Sequence, residues 1–333
     1  MEKDSLNIAG LINKAKEANE MPTPTFNFGL STSKKDNKMT VVFDSSKVIQ
    51  LLDTPWRSVN WTSESREELM EKVESYKPAC GAVSEAKVLL LGPVGAGKSS
   101  FISSVQSVFS GRVLNRAMVG SSASASFTKR LQSFPIRRSR EISGSASTSL
   151  VLCDIMGLGD GDWTGLSLYD ALCVIKGHVN DGHQFSTENP VKYDSIKKLT
   201  LKDKIHCVVF VVDASKINTY TKGLSTTFHQ LRENISSLGV HQVALLTHVD
   251  EVCTVTSQDT SQVYRSRQVQ QLIVKAGALL GMATSYILPV RNYSSQLELN
   301  DNMDILLLNA VDHILQYTDL YFQENAVDYK TSI

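Results

Sequence analysis

Residues 92–99, with the sequence GPVGAGKS, constrain the fold of this chain more than any other segment. They match the P-loop pattern GxxxxGK(S/T) at every fixed position. The apolar run of residues 87–91 precedes the motif, and a helical pattern over residues 99–109 follows it. This order of strand, loop and helix is the context that the motif requires. The sequence therefore predicts a phosphate-binding loop at the start of a helix.

The residue types in this loop suit a bound polyphosphate. Glycines let the backbone curl with positive φ and approach a phosphate without a clash from Cβ, and successive N–H groups then form an anion nest. Lys98 is expected to reach the β and γ phosphates, and the hydroxyl of Ser99 to be a ligand of Mg²⁺. The predicted phosphate-binding residues are Gly92, Val94, Gly95, Ala96, Gly97, Lys98, Ser99, Ser100 and, from a later motif, Gly157.

That later motif is residues 154–157, with the sequence DIMG, which ends the apolar run of residues 149–153. A carboxylate at the carboxyl end of a strand beside the P-loop strand is placed to hold Mg²⁺, so Asp154 is the second predicted metal residue after Ser99. The N–H of Gly157 is expected to bond the γ-phosphate. The alternative, in which Asp154 is an ordinary residue at a strand end, stays open.

The next residue is Leu158, where small GTPases carry a glutamine that orients the attacking water. A leucine side chain has no polar atom for that purpose. Hydrolysis is therefore expected to be slow, or to use another group, such as a partner's residue or the carboxylate of Asp160 or Asp162. A role as turn residues is favoured for both aspartates.

Residues 247–250, with the sequence THVD, end another apolar run. Guanine-binding GTPases carry (N/T)KxD at this place, and its aspartate takes the two donors on the edge of guanine. Asp250 fits that role, whereas His248 replaces the lysine, although an imidazole can still stack on a purine. Guanine is favoured over adenine, and an ordinary polar strand end stays open as the alternative. The predicted base-contacting residues are Thr247, His248, Asp250, Val290 and Arg291.

Two segments between these motifs carry weaker signals. Thr128 is the best candidate for the switch threonine that reaches Mg²⁺ and the γ-phosphate, with Thr148 as a rival that looks like part of a strand. Residues 129–140 are rich in lysine and arginine, which favours a solvated hairpin face and leaves a phosphate, lipid or partner surface open. Residues 163–204 are longer than the same stretch of a minimal GTPase and are interpreted as an inserted interaction element.

Five short apolar runs alternate with helical patterns, at residues 87–91, 150–153, 205–212, 243–246 and 286–289. This alternation predicts an α/β fold, a three-layer P-loop NTPase domain resembling a G domain, with a mostly parallel central sheet and an N-terminal extension. The expected organisation is a flexible arm at residues 1–40, an extension packing on the core at 41–84, the P-loop domain at 85–325 and a tail at 326–333.

Composition removes several other classes of protein. The 34 basic and 34 acidic residues of this 333-residue chain balance, so general attraction to nucleic acid is absent and a DNA partner is not expected. The five dispersed cysteines do not suit a disulfide framework. The N-terminus lacks the apolar region of a signal peptide, and no stretch approaches the ~20 apolar residues of a transmembrane segment. A cytoplasmic protein is expected.

Four strings together resemble the interferon-induced protein 44 family, in its 44-like branch. They are GPVGAGKSSFISSVQSVFSGRV at residues 92–113, DIMGLGDG at 154–161, LLTHVDEV at 245–252 and PWR at 55–57. The resemblance covers roughly residues 45–325. It implies a cytoplasmic protein of the P-loop GTPase class, induced by interferon, acting in innate antiviral immunity and using GTP or GDP with Mg²⁺. Longer members carry an N-terminal TLDc-type domain, for which the stretch before residue 85 is too short.

The leading functional hypothesis is a guanine-nucleotide-dependent interaction or switch protein with slow or partner-dependent GTP hydrolysis. Its expected partners are guanine nucleotide and proteins of the immune response, and a homodimer is left open. Two alternatives remain at this point. One is a pseudo-GTPase scaffold that binds no nucleotide, and the other is an NTPase activated by dimerisation.

Overall fold

The computed structural model describes residues 51–114, 128–137, 147–159, 165–192 and 198–330, with the backbone alone at 147 and 326–330. These residues belong to one compact unit, which spans residues 48–333. The arm predicted at residues 1–40 lies outside the described residues, as do Asp160 and Asp162.

A six-stranded sheet in the order β2-β3-β1-β4-β5-β6 forms the centre of the protein. Five strands run parallel, and β2 pairs antiparallel with β3 at one edge. The P-loop strand β1 therefore lies between β3, which ends in Asp154, and β4. The strands are β1 (Ala86–Leu91), β2 (Gln132–Arg137), β3 (Ser147–Asp154), β4 (Cys207–Asp213), β5 (His241–Thr247) and β6 (Ile287–Pro289).

Helices cover the sheet on both faces, which confirms the predicted three-layer α/β architecture. Strand β4 is buried along its whole length, as expected for a parallel strand that is covered on both sides. The helices are α1 (Ser63–Ser75), α2 (Lys98–Ser110), α3 (Leu168–Ile175), α4 (Lys222–Ser237), α5 (Val249–Val252), α6 (Thr254–Gln258), α7 (Arg267–Leu280) and α8 (Asp301–Lys330).

Two apolar clusters, one on each face, hold the layers together. The first packs the side chains of α3, α4 and α7 against the sheet, with Phe228 and Ile273 among its fully enclosed members. The second packs α2 and α8 on the opposite face, through residues such as Phe101 and Val311. Burial of these side chains is the main favourable term in folding, at about 25 cal/mol per Å² of apolar surface.

The segment before β1 packs on the domain through α1 and two tryptophans. The Arg66 side chain of α1 contacts the buried carboxylate of Asp304 in α8 at 2.7 Å. Trp56 packs edge-on against Tyr264, with ring centroids 4.9 Å apart, and Trp61 lies near the same ring. Residues 56–66 are therefore tied to the same body as the P-loop.

The last helix, α8, continues to Lys330 and so passes the domain boundary that the sequence predicted at residue 325. No glycine or proline occurs between residues 322 and 330 to end a helix, which explains the longer run. Among the described helices, none combines the length and the apolar character needed to cross a bilayer. All five cysteines are buried and none forms a disulfide, as their spacing predicted.

Candidate functional site

The P-loop connects β1 to α2 at the carboxyl edge of the sheet, and its three glycines are required for two different reasons. Gly95 and Gly97 have φ values of 74° and 88°, the left-handed region that suits glycine. Gly92 instead allows a close approach, because a methyl group there would lie 2.1 Å from the carbonyl oxygen of Val211 in β4. The loop is thus built from backbone geometry that other residues would disturb.

Lys98 begins α2 and folds back over the loop. Its ammonium donates to the carbonyl oxygens of Gly92 and Pro93, each at 2.9 Å. Burial lowers the pKa of Lys98 to about 8, while the nearby charge of Asp154 acts in the opposite direction. A buried cation is therefore held at the mouth of an anion-binding loop, where phosphate would stabilise its charged form.

Three oxygen-bearing side chains from separate segments meet beside this lysine. The Ser99 hydroxyl donates to Asp154 Oδ2 at 2.5 Å, and the Thr128 hydroxyl lies 3.3 Å from the same oxygen and 3.4 Å from Ser99 Oγ. Burial raises the pKa of Asp154, and Lys98 and both hydroxyls oppose that rise. Oxygen ligands of this kind suit a hard divalent cation, so the predicted metal residues Ser99 and Asp154 fit Mg²⁺.

Thr148, the rival of Thr128, lies elsewhere. It is part of β3, and its buried hydroxyl donates to the carbonyl oxygen of Ile136 in the neighbouring strand at 2.9 Å. The structure therefore brings Thr128 to the metal residues and leaves Thr148 in the sheet.

The segment after Asp154 packs directly on the P-loop. A methyl group on Gly157 would lie 2.8 Å from the amide nitrogen of Val94, so only glycine fits there. The amide of Leu158 donates to the carbonyl oxygen of Gly92 at 3.0 Å, and the Leu158 side chain is only 2% exposed. This leucine belongs to the apolar core and cannot orient a water molecule, as the sequence predicted.

At the base end of the site, Thr247 joins three segments of the chain. Its buried hydroxyl lies 2.8 Å from the carbonyl oxygen of Ala96 in the P-loop and 3.1 Å from that of Val212 in β4. The end of β5 is thereby fixed against the loop, which sets the distance between the phosphate and base ends.

His248 is the only non-glycine residue with positive φ in the described part of the chain, at φ 55° and ψ 32°. Its Nδ1 lies 2.9 Å from Thr247 Oγ1 and 3.4 Å from Asp213 Oδ1. The ring also approaches the P-loop, because a methyl group on Gly97 would lie 3.4 Å from His248 Cε1. A left-handed histidine is strained by about 1 kcal/mol, and such strain occurs most often at functional sites.

Asp250 lies in the short helix α5, beside the predicted base residue Arg291. The guanidinium Nε of Arg291 is 3.5 Å from Asp250 Oδ2. Its Nη1 donates to the carbonyl oxygens of Thr256 and Ser257 at 3.2 and 2.9 Å. These carbonyls thus hold Arg291 with its guanidinium beside the Asp250 carboxylate, a contact that the sequence did not indicate.

Val290 differs from the other predicted base residues. Its side chain is fully buried in the apolar core, and its amide donates to the carbonyl oxygen of Leu246 at 2.8 Å. The side chain of Val290 is therefore not accessible to a base, because the residue still continues the buried strand β6. A contact with a base would have to come from its backbone, and the assignment of Val290 stays a prediction.

Comparison with known proteins now gives the family. Human interferon-induced protein 44 is 34% identical over 271 residues, which cover 80% of this chain and 60% of that protein. Human interferon-induced protein 44-like is 36% identical over 265 residues, covering 78% and 58%. This chain belongs to the interferon-induced protein 44 family. It spans about 60% of the length of the curated relatives that it matches. No protein-family model matches the chain.

Solved structures resemble this family member only distantly. The crystal structure of a probable GTP-binding protein engB is 11% identical and has a TM-score of 0.38, covering 70% of this chain and 98% of that one.

Three further residues of this family member lie at the site, although none of them belongs to a recognised sequence motif. Asn292 donates through Nδ2 to the carbonyl oxygen of Gly97 at 3.3 Å, and its Oδ1 is buried without a hydrogen-bond partner among the described residues. Asp213 ends β4 as a buried carboxylate, and Lys216 follows it. The position of Asp213 at the carboxyl end of a strand, like that of Asp154, was the available signal.

Proposed function

We propose that this member of the interferon-induced protein 44 family binds a guanine nucleotide with Mg²⁺ and acts as a nucleotide-dependent interaction protein. The observation that carries the proposal is the meeting of Lys98, Ser99, Asp154 and Thr128 at one end of the P-loop. These side chains come from three segments that are distant in sequence. A cation, two hydroxyls and a carboxylate at the start of a helix form a suitable environment for a metal-bound polyphosphate.

Each part of the phosphate end has its own task. The amides of residues 95–99 and the N-terminus of α2 would bind phosphate oxygens through partial positive charge. Lys98 would exchange its contacts with the carbonyls of Gly92 and Pro93 for charge-assisted hydrogen bonds to phosphate. Ser99, Asp154 and Thr128 would hold Mg²⁺, which neutralises charge on the phosphate oxygens when it is bound.

The base end would select guanine through Asp250. A carboxylate offers two acceptors, and the Watson–Crick edge of guanine offers two donors, whereas adenine places an acceptor where guanine has a donor. Arg291 supports this selection by holding the carboxylate in place. The imidazole of His248 would pack on the nucleotide beside Gly97.

Hydrolysis by this chain alone would be slow. Leu158 occupies the place of a water-orienting side chain and is buried, so another group must position the attacking water. Thr128 and the segment at Gly157 both lie against the nucleotide-binding residues and would respond to the γ-phosphate. A role of this switch in the innate antiviral response is part of the proposal, because the relatives are named as interferon-induced proteins.

A nucleotide-free scaffold is the second candidate. The observation that favours it is the ion pair between Asp250 and Arg291, because the carboxylate expected to bind the base already has a cationic partner. The two candidates differ in a single measurable property, the affinity for nucleotide.

Titration calorimetry of the purified chain with GTP, GDP and ATP, each with MgCl₂, tests the proposal. Saturable heat with GTP and GDP, at least ten times weaker binding of ATP, and loss of binding in Lys98→Ala are the expected results. Lys222→Ala, at the exposed start of α4, is the matched control and should bind like the natural chain. Absence of saturation with every nucleotide would support the scaffold, and equal affinity for ATP would refute guanine selection.

A phosphate-release assay on the same proteins separates a switch from an enzyme. Bound GTP with little release over several hours supports the switch. Release that rises steeply with protein concentration and disappears in Lys98→Ala would instead support an NTPase activated by dimerisation.

A further inference from the structure

Lys216 brings a second cation to the P-loop from a different part of the chain. It lies in the turn after β4, and its ammonium contacts Asp213 Oδ2 at 3.2 Å. A methyl group on Gly95 would lie 3.5 Å from the same ammonium. The side chain is 50% exposed, so the charge stands at the surface of the loop and not inside the core.

The turn that carries Lys216 is firmly held. The amide of Lys216 donates to the carbonyl oxygen of Asp213 at 3.1 Å, and the amide of Ala214 donates to that of Thr247 at 3.0 Å. The Asp213 carboxylate accepts from both the amide and the hydroxyl of Ser215, at 2.9 and 2.6 Å. The backbone under Lys216 is therefore fixed relative to the end of β5 and to the loop.

Neutralising Asp213 does not by itself explain where this lysine lies. The carboxylate already has two hydrogen bonds from Ser215, and a half-exposed ion pair contributes only about 0–1 kcal/mol. What distinguishes Lys216 is its closeness to Gly95, in the part of the loop whose backbone has the left-handed conformation of an anion nest.

The motif THVD lacks the lysine that the (N/T)KxD pattern has at its second position. In its place, His248 turns its Nδ1 toward Asp213, at 3.4 Å from Oδ1, while Lys216 contacts the other oxygen of the same carboxylate. Asp213 thus orients both an imidazole and an ammonium beside the P-loop. Lys216 is therefore a cation next to Gly95, while residue 248 carries an imidazole.

We propose that Lys216 is a nucleotide-binding residue whose ammonium contacts the phosphate chain of the nucleotide next to Gly95, with Asp213 as its positioning residue. This inference rests on the proposed function. It adds to that function a second lysine, besides Lys98, that recognises phosphate and not the base.

The test compares ligands with and without phosphates. The affinities of Lys216→Met for GDP and GTP, measured by calorimetry, should fall about tenfold, or about 1.4 kcal/mol. The affinity for guanosine, measured by competition, should stay within about twofold of the natural chain. Lys216→Arg, which keeps the charge, should recover most of the loss. Lys222→Met, on the next helix, is the matched control and should bind all three ligands normally.

Three outcomes would overturn the inference. Unchanged GDP affinity in Lys216→Met removes the phosphate contact, while the proposed function survives if Lys98→Ala still abolishes binding. Equal losses for GDP and guanosine, together with a lowered unfolding temperature, would assign Lys216 a structural role in the turn. A natural chain that binds neither GDP nor GTP would overturn both the inference and the proposed function.

Discussion

The phosphate end and the base end of the candidate site are constructed differently. At the phosphate end, eight consecutive residues supply the loop, and Asp154 and Thr128 join it at distances of 2.5 to 3.4 Å from their partners. At the base end, two separate segments contribute: residues 247–250, and the β6 loop with Arg291. The first end is built around one continuous loop, whereas the second has no such loop.

This difference explains why the phosphate end keeps the residues of its expected motif whereas the base end does not. The P-loop keeps its glycines and its lysine because the backbone of the loop and its predicted phosphate contact each require one residue type at one position. The base end replaces a motif lysine by His248 and places Arg291, from another segment, beside the carboxylate of Asp250. Substitutions at the phosphate end should therefore change the affinity for all nucleotides alike. Substitutions at the base end should change the affinity for one base more than for another.

The largest of these effects is expected from a substitution at the base end. Asp250→Asn should weaken GTP binding about 100-fold, because the amide presents a donor where guanine also presents donors. The same variant should gain affinity for xanthosine triphosphate, whose base carries a carbonyl at that position. Competition calorimetry measures both changes, with Glu251→Gln as the neighbouring control. An equal loss for both nucleotides would show that Asp250 does not face the base.

The next effect isolates the metal residues of the phosphate end. Ser99→Ala should weaken binding of Mg²⁺–GTP about 30-fold while changing binding of GTP in EDTA by less than about threefold. The reason is that the lost hydroxyl serves the metal and not the phosphate directly. Ser110→Ala, at the other end of α2, is the control. Losses of the same size with and without Mg²⁺ would refute the metal assignment.

A pH profile tests the buried lysine. Because burial lowers the pKa of Lys98 to about 8, the free protein loses this charge as the pH rises from 7 to 9. GDP affinity should then fall about tenfold over that range, since only the protonated lysine attracts phosphate. Lys98→Arg keeps its charge throughout and should flatten the profile. A steep profile that persists in Lys98→Arg would assign the titration to another group.

The smallest effect is expected from a substitution that tests the role of Arg291. If this guanidinium orients Asp250, then Arg291→Gln should weaken GTP binding about threefold. The unfolding temperature should also fall, because the carbonyls of Thr256 and Ser257 lose their donor. Arg267→Gln, at the exposed start of α7, is the control. Tighter binding in Arg291→Gln would reverse the interpretation, because it would show that the arginine competes with guanine for the carboxylate.

The sequence predicted the fold and the phosphate end because both depend on short-range patterns. Buried strands appear as apolar runs, and the residues from Gly92 to Ser99 are adjacent in the chain, so their types and spacing can be recognised directly. Even Thr128 could be chosen over Thr148, because the second residue fits the alternation of a strand. The domain boundaries and the nucleotide assignments remain predictions.

Residues that meet only through tertiary packing could not be identified from the sequence. Lys216 and Asn292 carry no motif, and they reach Gly95 and Gly97 because β4 and β6 end at the same edge of the sheet as β1. The burial of the Val290 side chain was likewise not predicted, because its position after β6 does not show whether it continues the buried strand.

The tight contacts of Gly92 with Val211 and of Gly157 with Val94 have a thermodynamic consequence. A loop that is enclosed by neighbouring backbone on both sides is already ordered before it meets a ligand, so little conformational entropy is lost from it on association. The entropic cost of binding then falls mainly on the ligand. Because the loop does not have to rearrange, preorganisation of this kind lowers the free-energy cost of association.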